Sequence, residues 1–100
     1  MRGICQASGE IDLATVPAFA EALRDAIDGA DASPVFVDCA AITFMDSSAF
    51  HALVAGTRYS RSRDRRLTIR DLNPNCARVL DLCDWDDELT IEARPSTPTT

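Results

Sequence analysis

The sequence alternates short apolar runs with longer amphipathic segments, and this alternation constrains the fold more than any other feature. The longer segments repeat apolar side chains every three to four residues, which indicates helices, whereas the short runs indicate strands. The resulting order is β-α-β-α-β-α-β, which favours one α/β domain with helices packed on a small, mainly parallel or mixed sheet. Strands are predicted at residues 2–11, 35–37, 67–69 and 89–91.

Three helices are predicted from their start signals and apolar stripes. Thr15 is a candidate cap for the first helix, which has Pro17 in its first turn and stops at Gly29. The second helix begins in the run Asp46–Ser48, and the third begins at Asn73–Pro74, a cap followed by a favourable first position. The predicted buried faces are Val16, Phe19, Ala20, Leu23 and Ile27; Phe50, Leu53, Val54 and Thr57; and Cys76, Val79, Leu80 and Cys83.

Length and composition place the chain among small globular domains. One hundred residues, 46% apolar and 26% charged, suffice for a single domain over residues 1–94, and the Pro/Ser/Thr-rich residues 95–100 are expected to form a disordered tail. No apolar run approaches the ~20 residues of a membrane span, and no signal-peptide pattern is seen. We therefore expect a cytoplasmic protein without membrane insertion. The net charge of -6 opposes direct nucleic-acid binding.

Charge is unevenly distributed along this acidic chain. All ten basic residues are arginine, and residues 58–78 hold seven of them against two aspartates. The spacing of Arg58, Arg61 and Arg65 favours an exposed helix face whose late arginines complement the helix dipole. A surface that meets an oppositely charged partner is the alternative interpretation.

The cysteines do not indicate a metal site or a disulfide framework. Cys5, Cys39, Cys76 and Cys83 form no C-x-x-C pair, and the single His51 completes no zinc-ligand spacing. We expect reduced thiols that act as small core residues, with no metal and no cofactor. A redox switch is the open alternative.

Two adjacent hydroxyls stand at the predicted start of the second helix. Ser47 and Ser48 lie where unpaired backbone N–H groups and the helix dipole favour an anion, although Asp-Ser-Ser is also simply a good helix start. His51 follows Ser47 by four residues, yet the sequence offers no third catalytic member and no dedicated oxyanion donors. We expect a solvent-facing His51, no catalytic residues and no enzyme.

Two motifs in order resemble the STAS domain of bacterial anti-sigma factor antagonists. They are Gly9–Thr15 (Gly-Glu-Ile-Asp-Leu-Ala-Thr) and Ile42–Ser48 (Ile-Thr-Phe-Met-Asp-Ser-Ser), separated by the strand Val35–Asp38. The resemblance extends over roughly residues 3–93, through the Arg-Leu-Thr-Ile strand and the helix Asn73–Leu82.

The resemblance implies a switch that binds another protein. Ser47 would be the phosphoacceptor of an anti-sigma factor that is also a serine kinase, and Asp12, Asp46 and Ser48 would belong to the partner-binding surface. The unmodified form would bind the anti-sigma factor and release a sigma factor, and a PP2C-type phosphatase would reset the switch.

The chain departs from the family pattern at three places. Ala49 replaces a usual glycine, where its methyl is expected to crowd a kinase, and Asp84-Trp85 replaces a usual Gly-Leu. The usual additional N-terminal strand is expected to be missing. The exposed sheet edge this would leave predicts self-association.

A second function class remains open at this stage. A binding module of the same fold without phosphorylation, such as the STAS subunit of a lipid-transporting ABC complex or a stress-signalling scaffold, is the alternative. A thiol-regulated or small hydrolytic protein is a third.

Overall fold

A computed structural model describes residues 3–82 and 89–92 of the chain. Seven elements follow one another in the predicted alternating order, and three helices separate four strands. The elements are β1 (Ile4–Ile11), α1 (Val16–Asp28), β2 (Val35–Met45), α2 (Ser47–Ser62), β3 (Leu67–Arg70), α3 (Pro74–Leu82) and β4 (Thr90–Ile91). The prediction of an α/β domain is confirmed.

The four strands form one parallel sheet in the order β1-β2-β3-β4. Because each crossover advances in the same direction, right-handed connections place the helices on one face of the sheet. Apolar side chains from that face and from all three helices form a single core. Among the described residues, β1 is one edge of the sheet and β4 is the other.

The second strand is much longer than the apolar run 35–37 that predicted it. Residues 35–45 form one strand, and its pairing with β1 shifts between Gln6 and Ser8 and again between Gly9 and Glu10. At each shift β2 uses one more residue than β1, which is the signature of a bulge. The bulges carry the strand on to Met45, beside the start of α2.

The predicted buried faces are largely confirmed. In α1, Phe19, Leu23 and Ile27 are buried, but Ala20 is exposed because it lies on the outer side of the stripe. In α3, Val79 is exposed while Cys76 and Leu80 are buried. The predictions for Cys83, Asp84-Trp85 and the tail 95–100 lie outside the described residues.

The first two helices pack tightly against each other at Gly56. A Cβ atom built on Gly56 would lie 3.3 Å from Cδ1 of Leu23 and 3.4 Å from Cδ2 of Leu67. Tyr59 joins the two helices near their C-terminal ends. Its hydroxyl donates to the Asp28 carboxylate at 2.7 Å. The guanidinium groups of Arg24 and Arg63 lie 4.7 and 5.0 Å from the Tyr59 ring centroid.

Candidate functional site

The two motif loops meet at the carboxyl end of the sheet. Ile11 pairs with Met45 at the ends of β1 and β2, and the Asp46 N–H donates to the Ile11 carbonyl at 3.2 Å. The loop that follows β1 and the start of α2 therefore leave the sheet side by side. This is the edge at which parallel α/β sheets place their working loops.

Asp46 is the cap of α2, as the Asp-Ser-Ser run predicted. Its backbone is extended, and its carboxylate accepts from the Ala49 N–H at 3.2 Å and from the Ser48 hydroxyl. The Ser48 hydrogen bond lowers the pKa of Asp46, and nearby backbone N–H groups lower it further, against an opposing effect of burial. The ionised carboxylate thus holds the first turn of α2 in place.

The two serines occupy different environments. Ser48 is half-buried, and its hydroxyl is committed to Asp46. Ser47 is the first residue of α2 and is exposed, and within the described residues its side chain has no hydrogen-bond partner. The hydroxyl of Ser47 is therefore the more accessible of the two for chemistry.

Asp12 is half-buried, and its carboxylate accepts hydrogen bonds from backbone groups of its own loop. Its carboxylate accepts from the N–H groups of Ala14 at 3.0 Å and Thr15 at 3.1 Å. The prediction that Thr15 caps α1 with its side chain is wrong: its hydroxyl donates back to the Glu10 carbonyl at 2.9 Å and accepts from the Asp12 N–H. Asp12 and Thr15 thus fix the shape of the loop beside Asp46.

Two large apolar side chains at this edge were not identified as functional from the sequence. Leu13 follows Asp12 in the β1 loop and is 77% exposed, and Phe44 precedes the helix start and is 50% exposed. These are the two largest exposures among the large hydrophobic side chains of the described residues. The sequence did contain a signal for both residues. Leu13 lies outside the apolar stripe of α1, and Phe44 lies within the second motif, Ile42–Ser48.

Ala49 does not crowd the approach to Ser47. Its side chain is 0% exposed and packs in the core, and its N–H is held by Asp46. The expectation of a methyl that hinders a kinase is therefore wrong. The methyl points inward because Ala49 lies on the same buried side of α2 as Leu53.

Neither a metal-ligand cluster nor a membrane-spanning helix is found among the described residues. His51 is exposed on α2, as expected. No group of three or more His, Cys, Asp or Glu side chains within residues 3–82 and 89–92 is placed to hold a metal ion. In the same part of the chain, no helix has the length and apolarity needed to cross a membrane.

Comparison with known proteins places this fold and motif pair in a family. Residues 3–92 match the family model described as Mlab, STAS domain, so the chain belongs to the STAS-domain family. Among solved structures, it resembles a protein of Thermotoga maritima provisionally assigned as an anti-sigma factor antagonist. The identity is 16% and the TM-score 0.76, with 96% of this chain and 84% of that chain covered. No curated protein matches the chain.

Proposed function

We propose that this protein is a cytoplasmic, non-enzymatic anti-sigma factor antagonist that is switched off by phosphorylation at Ser47. The unmodified form binds an anti-sigma factor with serine kinase activity and releases a sigma factor, and a PP2C-type phosphatase removes the phosphate. The observation that supports it best is an exposed Ser47 hydroxyl, without a hydrogen-bond partner among the described residues, at the same edge as the exposed side chains of Leu13 and Phe44.

The chemistry at this edge favours Ser47 over Ser48 as the acceptor. A hydroxyl must be free to meet a γ-phosphate, and that of Ser48 is held by the Asp46 carboxylate. The start of α2 tolerates an anion because its N–H groups and dipole point toward it. Phosphorylation of Ser47 therefore leaves the fold intact.

The same phosphate is incompatible with a docked partner. It adds about -1.5 to -2 charge beside Asp46, and a partner that covers this edge would have to desolvate that charge. Apolar contacts at Leu13 and Phe44 cannot compensate such a charge. Binding is lost without a change in the backbone.

The phosphorylation experiment uses matched serine variants. The protein is incubated with candidate kinase-type anti-sigma factors and ATP, and the phosphate is located by peptide mass spectrometry. We expect one phosphate on Ser47, its loss in Ser47→Ala and its retention in Ser48→Ala. Phosphate on Ser48 in the wild-type protein, or equal labelling of Ser47→Ala, would refute the assignment.

The docking surface is tested separately from the kinase reaction. Leu13→Ser and Phe44→Ser should each weaken binding to the anti-sigma factor at least about tenfold, because a buried apolar anchor supplies much of the affinity of an interface. Val79→Ser is the matched control, since Val79 is a comparably exposed apolar residue on α3. Equal affinities for all three variants would exclude this surface.

A second candidate is a STAS binding module that is not phosphorylated, in a lipid-transporting ABC complex or a stress-signalling scaffold. It is favoured by the description of the matched family, which names a STAS domain and not an anti-sigma factor antagonist. Isolation of the tagged protein from its own cells separates the two. A stable transporter complex that also forms with the Ser47→Glu variant would support the second candidate. Capture of a kinase by the wild-type protein but not by the Ser47→Glu variant would support the first.

A further inference from the structure

A groove runs along the free side of β1, between this strand and α1. It consists of two adjoining cavities, of about 420 and 220 Å³, which share Gln6 and Ala22 in their linings. The larger cavity lies at the amino end of β1, beside Gly29, and the smaller one lies at its carboxyl end, beside Thr15. The groove therefore follows the edge strand over most of its length and does not include Ser47 at the start of α2.

One wall of the groove is the unpaired backbone of β1. On its other side β1 bonds to β2, where the Phe36 N–H donates to the Gly3 carbonyl at 2.6 Å. Neighbouring residues of a strand direct their backbone groups to opposite sides, so those of Ile4, Gln6 and Ser8 point away from β2. Within the described part of the sheet, β2 is the only strand that pairs with β1. The free side of β1 can therefore donate hydrogen bonds to an added strand and accept them from it.

The other wall is a face of α1 with short side chains. Ala18, Ala22 and Ala26 follow one another at four-residue intervals, which places their Cβ atoms in a row on one side of the helix. All three line the groove, and Ala22 and Ala26 pack against the core. Because methyl groups are short, this wall leaves room for larger aliphatic side chains that a strand added beside β1 would direct toward α1.

A second copy of β1 does not fill this room. Its helix-facing side chains, Cys5, Ala7 and Ile11, are already packed against the core beneath that copy's own α1. Space left empty in an interface costs free energy, because the atoms that line it lose their contacts. Pairing of two copies is therefore expected only at high protein concentration, and an extended segment of another protein fits the groove better.

The two ends of the groove each carry a carboxylate. Asp25 lines the larger cavity, and Glu10 lines the smaller one. Both side chains are exposed, and neither has a hydrogen-bond or ion-pair partner among the described residues. A segment with a basic residue near each end would therefore meet charges of opposite sign.

We propose that the groove between β1 and α1 binds an extended segment of a partner protein, which adds one strand to the sheet beside β1. Its aliphatic side chains alternate with polar ones, because the side chains of a strand point in turn to the two faces of the sheet. The aliphatic ones contact Ala18, Ala22 and Ala26, and the basic residues at its ends lie near Asp25 and Glu10. Backbone hydrogen bonds supply affinity and the groove supplies selectivity.

The test uses a fluorescent peptide, Lys-Val-Thr-Val-Thr-Val-Lys, and protein at a concentration where sedimentation shows a monomer. We expect a saturable rise in fluorescence anisotropy. The same peptide with N-methyl groups on the amides that face β1 should bind about tenfold more weakly or worse, because it cannot donate to the strand edge. By NMR, the peptide should slow hydrogen exchange of the Ile4, Gln6 and Ser8 amides.

Matched variants locate the peptide on the α1 wall. Ala22→Leu fills the groove and should weaken binding about tenfold or more, whereas Ala20→Leu adds the same side chain on the outer side of α1 and should have no effect. Asp25→Asn should weaken binding about two- to fivefold at low salt, and high salt should remove the difference. Glu21→Gln is the control for charge on the same helix, since Glu21 is exposed and outside the groove lining.

Four results would overturn the proposal. They are the absence of saturable binding by the monomer, full affinity of the N-methylated peptide, equal affinities of Ala22→Leu and Ala20→Leu, and slowed amide exchange along β1 that depends on protein concentration alone. The last result would identify a second copy of the chain as the occupant. None of these measurements involves an anti-sigma factor or Ser47, so their failure and that of the proposed function are separate.

Discussion

At the scale of single residues, Asp46 organises the start of α2 at the candidate site. Its carboxylate caps α2 at the Ala49 N–H and accepts a hydrogen bond from the Ser48 hydroxyl. Both contacts favour the ionised form. The geometry of this helix start therefore depends on a negative charge at residue 46.

The charge on Asp46 should make part of the stability dependent on pH. Its folded pKa lies below its value of 3.8 in the unfolded chain, so its contribution is complete above about pH 3.8 and disappears as the pH falls through the folded pKa. The Asp46→Asn variant keeps a capping side chain but loses the charge. Urea unfolding should show wild type more stable than the variant at pH 6 and the two converging in strong acid. A difference independent of pH would contradict the charge assignment.

The thiols of the core are predicted to be inert in the folded protein. Burial raises the pKa of Cys39 to about 12, with Asp38 adding a smaller effect, and burial also raises the pKa values of Cys5 and Cys76. At pH 8 roughly one Cys39 side chain in ten thousand is a thiolate. Iodoacetamide should label Cys39 only after unfolding in urea, as read by peptide mass spectrometry. Rapid labelling of the native protein would reopen the thiol-regulated alternative.

At the scale of elements, the contact of α1 with α2 depends on the missing side chain of Gly56. Gly56→Leu should destabilise the protein by about 1–3 kcal/mol, because the new side chain must displace Leu23 and Leu67 from a packed core. Ala55→Leu is the matched control on the exposed neighbouring position. Thermal unfolding should show a lower Tm for Gly56→Leu and an unchanged Tm for Ala55→Leu. Equal Tm values for the two variants would show that the contact between α1 and α2 accommodates a side chain at residue 56.

The elements also show which features of the fold are visible in a sequence. Asn73 was predicted as the cap of α3, and its carboxamide oxygen accepts the Cys76 N–H at 2.8 Å, because a cap depends on residues three positions apart. The full length of β2 was not predicted, since its bulges near Cys39 and Thr43 are set by pairing with β1. The prediction that the Thr15 side chain caps α1 was wrong for the same reason. Its hydroxyl donates to the carbonyl of Glu10, a residue in the preceding strand.

Only part of the candidate site could be predicted from the sequence. Asp46 and Ser48 interact within one helix turn, so their spacing reveals them. Leu13 lies in the loop after β1 and Phe44 near the end of β2, and the pairing of the two strands brings both exposed side chains to the same end of the sheet. The position of Leu13 outside the α1 stripe and that of Phe44 in the motif were signals, but periodicity alone does not distinguish an apolar residue that faces solvent from one that packs in the core.

At the scale of the whole molecule, β1 is the element most exposed to a second copy of the chain. It is an edge strand of eight residues among the described part of the sheet, and Glu10 is its single charged residue. Edges are usually blocked by charges, prolines or short strands, and β1 uses none of these along Ile4–Gly9. Its bulged pairing with β2 is the one feature that opposes a flat approach.

We therefore expect concentration-dependent association through antiparallel pairing of two β1 edges, which would join two sheets into one. Sedimentation velocity at increasing concentration should show a dimer, and Gln6→Lys/Ser8→Lys should abolish it, because the added charges face one another across the twofold axis. Ser62→Lys/Asn75→Lys adds the same charge at exposed positions away from β1 and should still dimerise. A wild-type monomer at millimolar concentration would show that the bulges of this strand pair are enough to protect the edge.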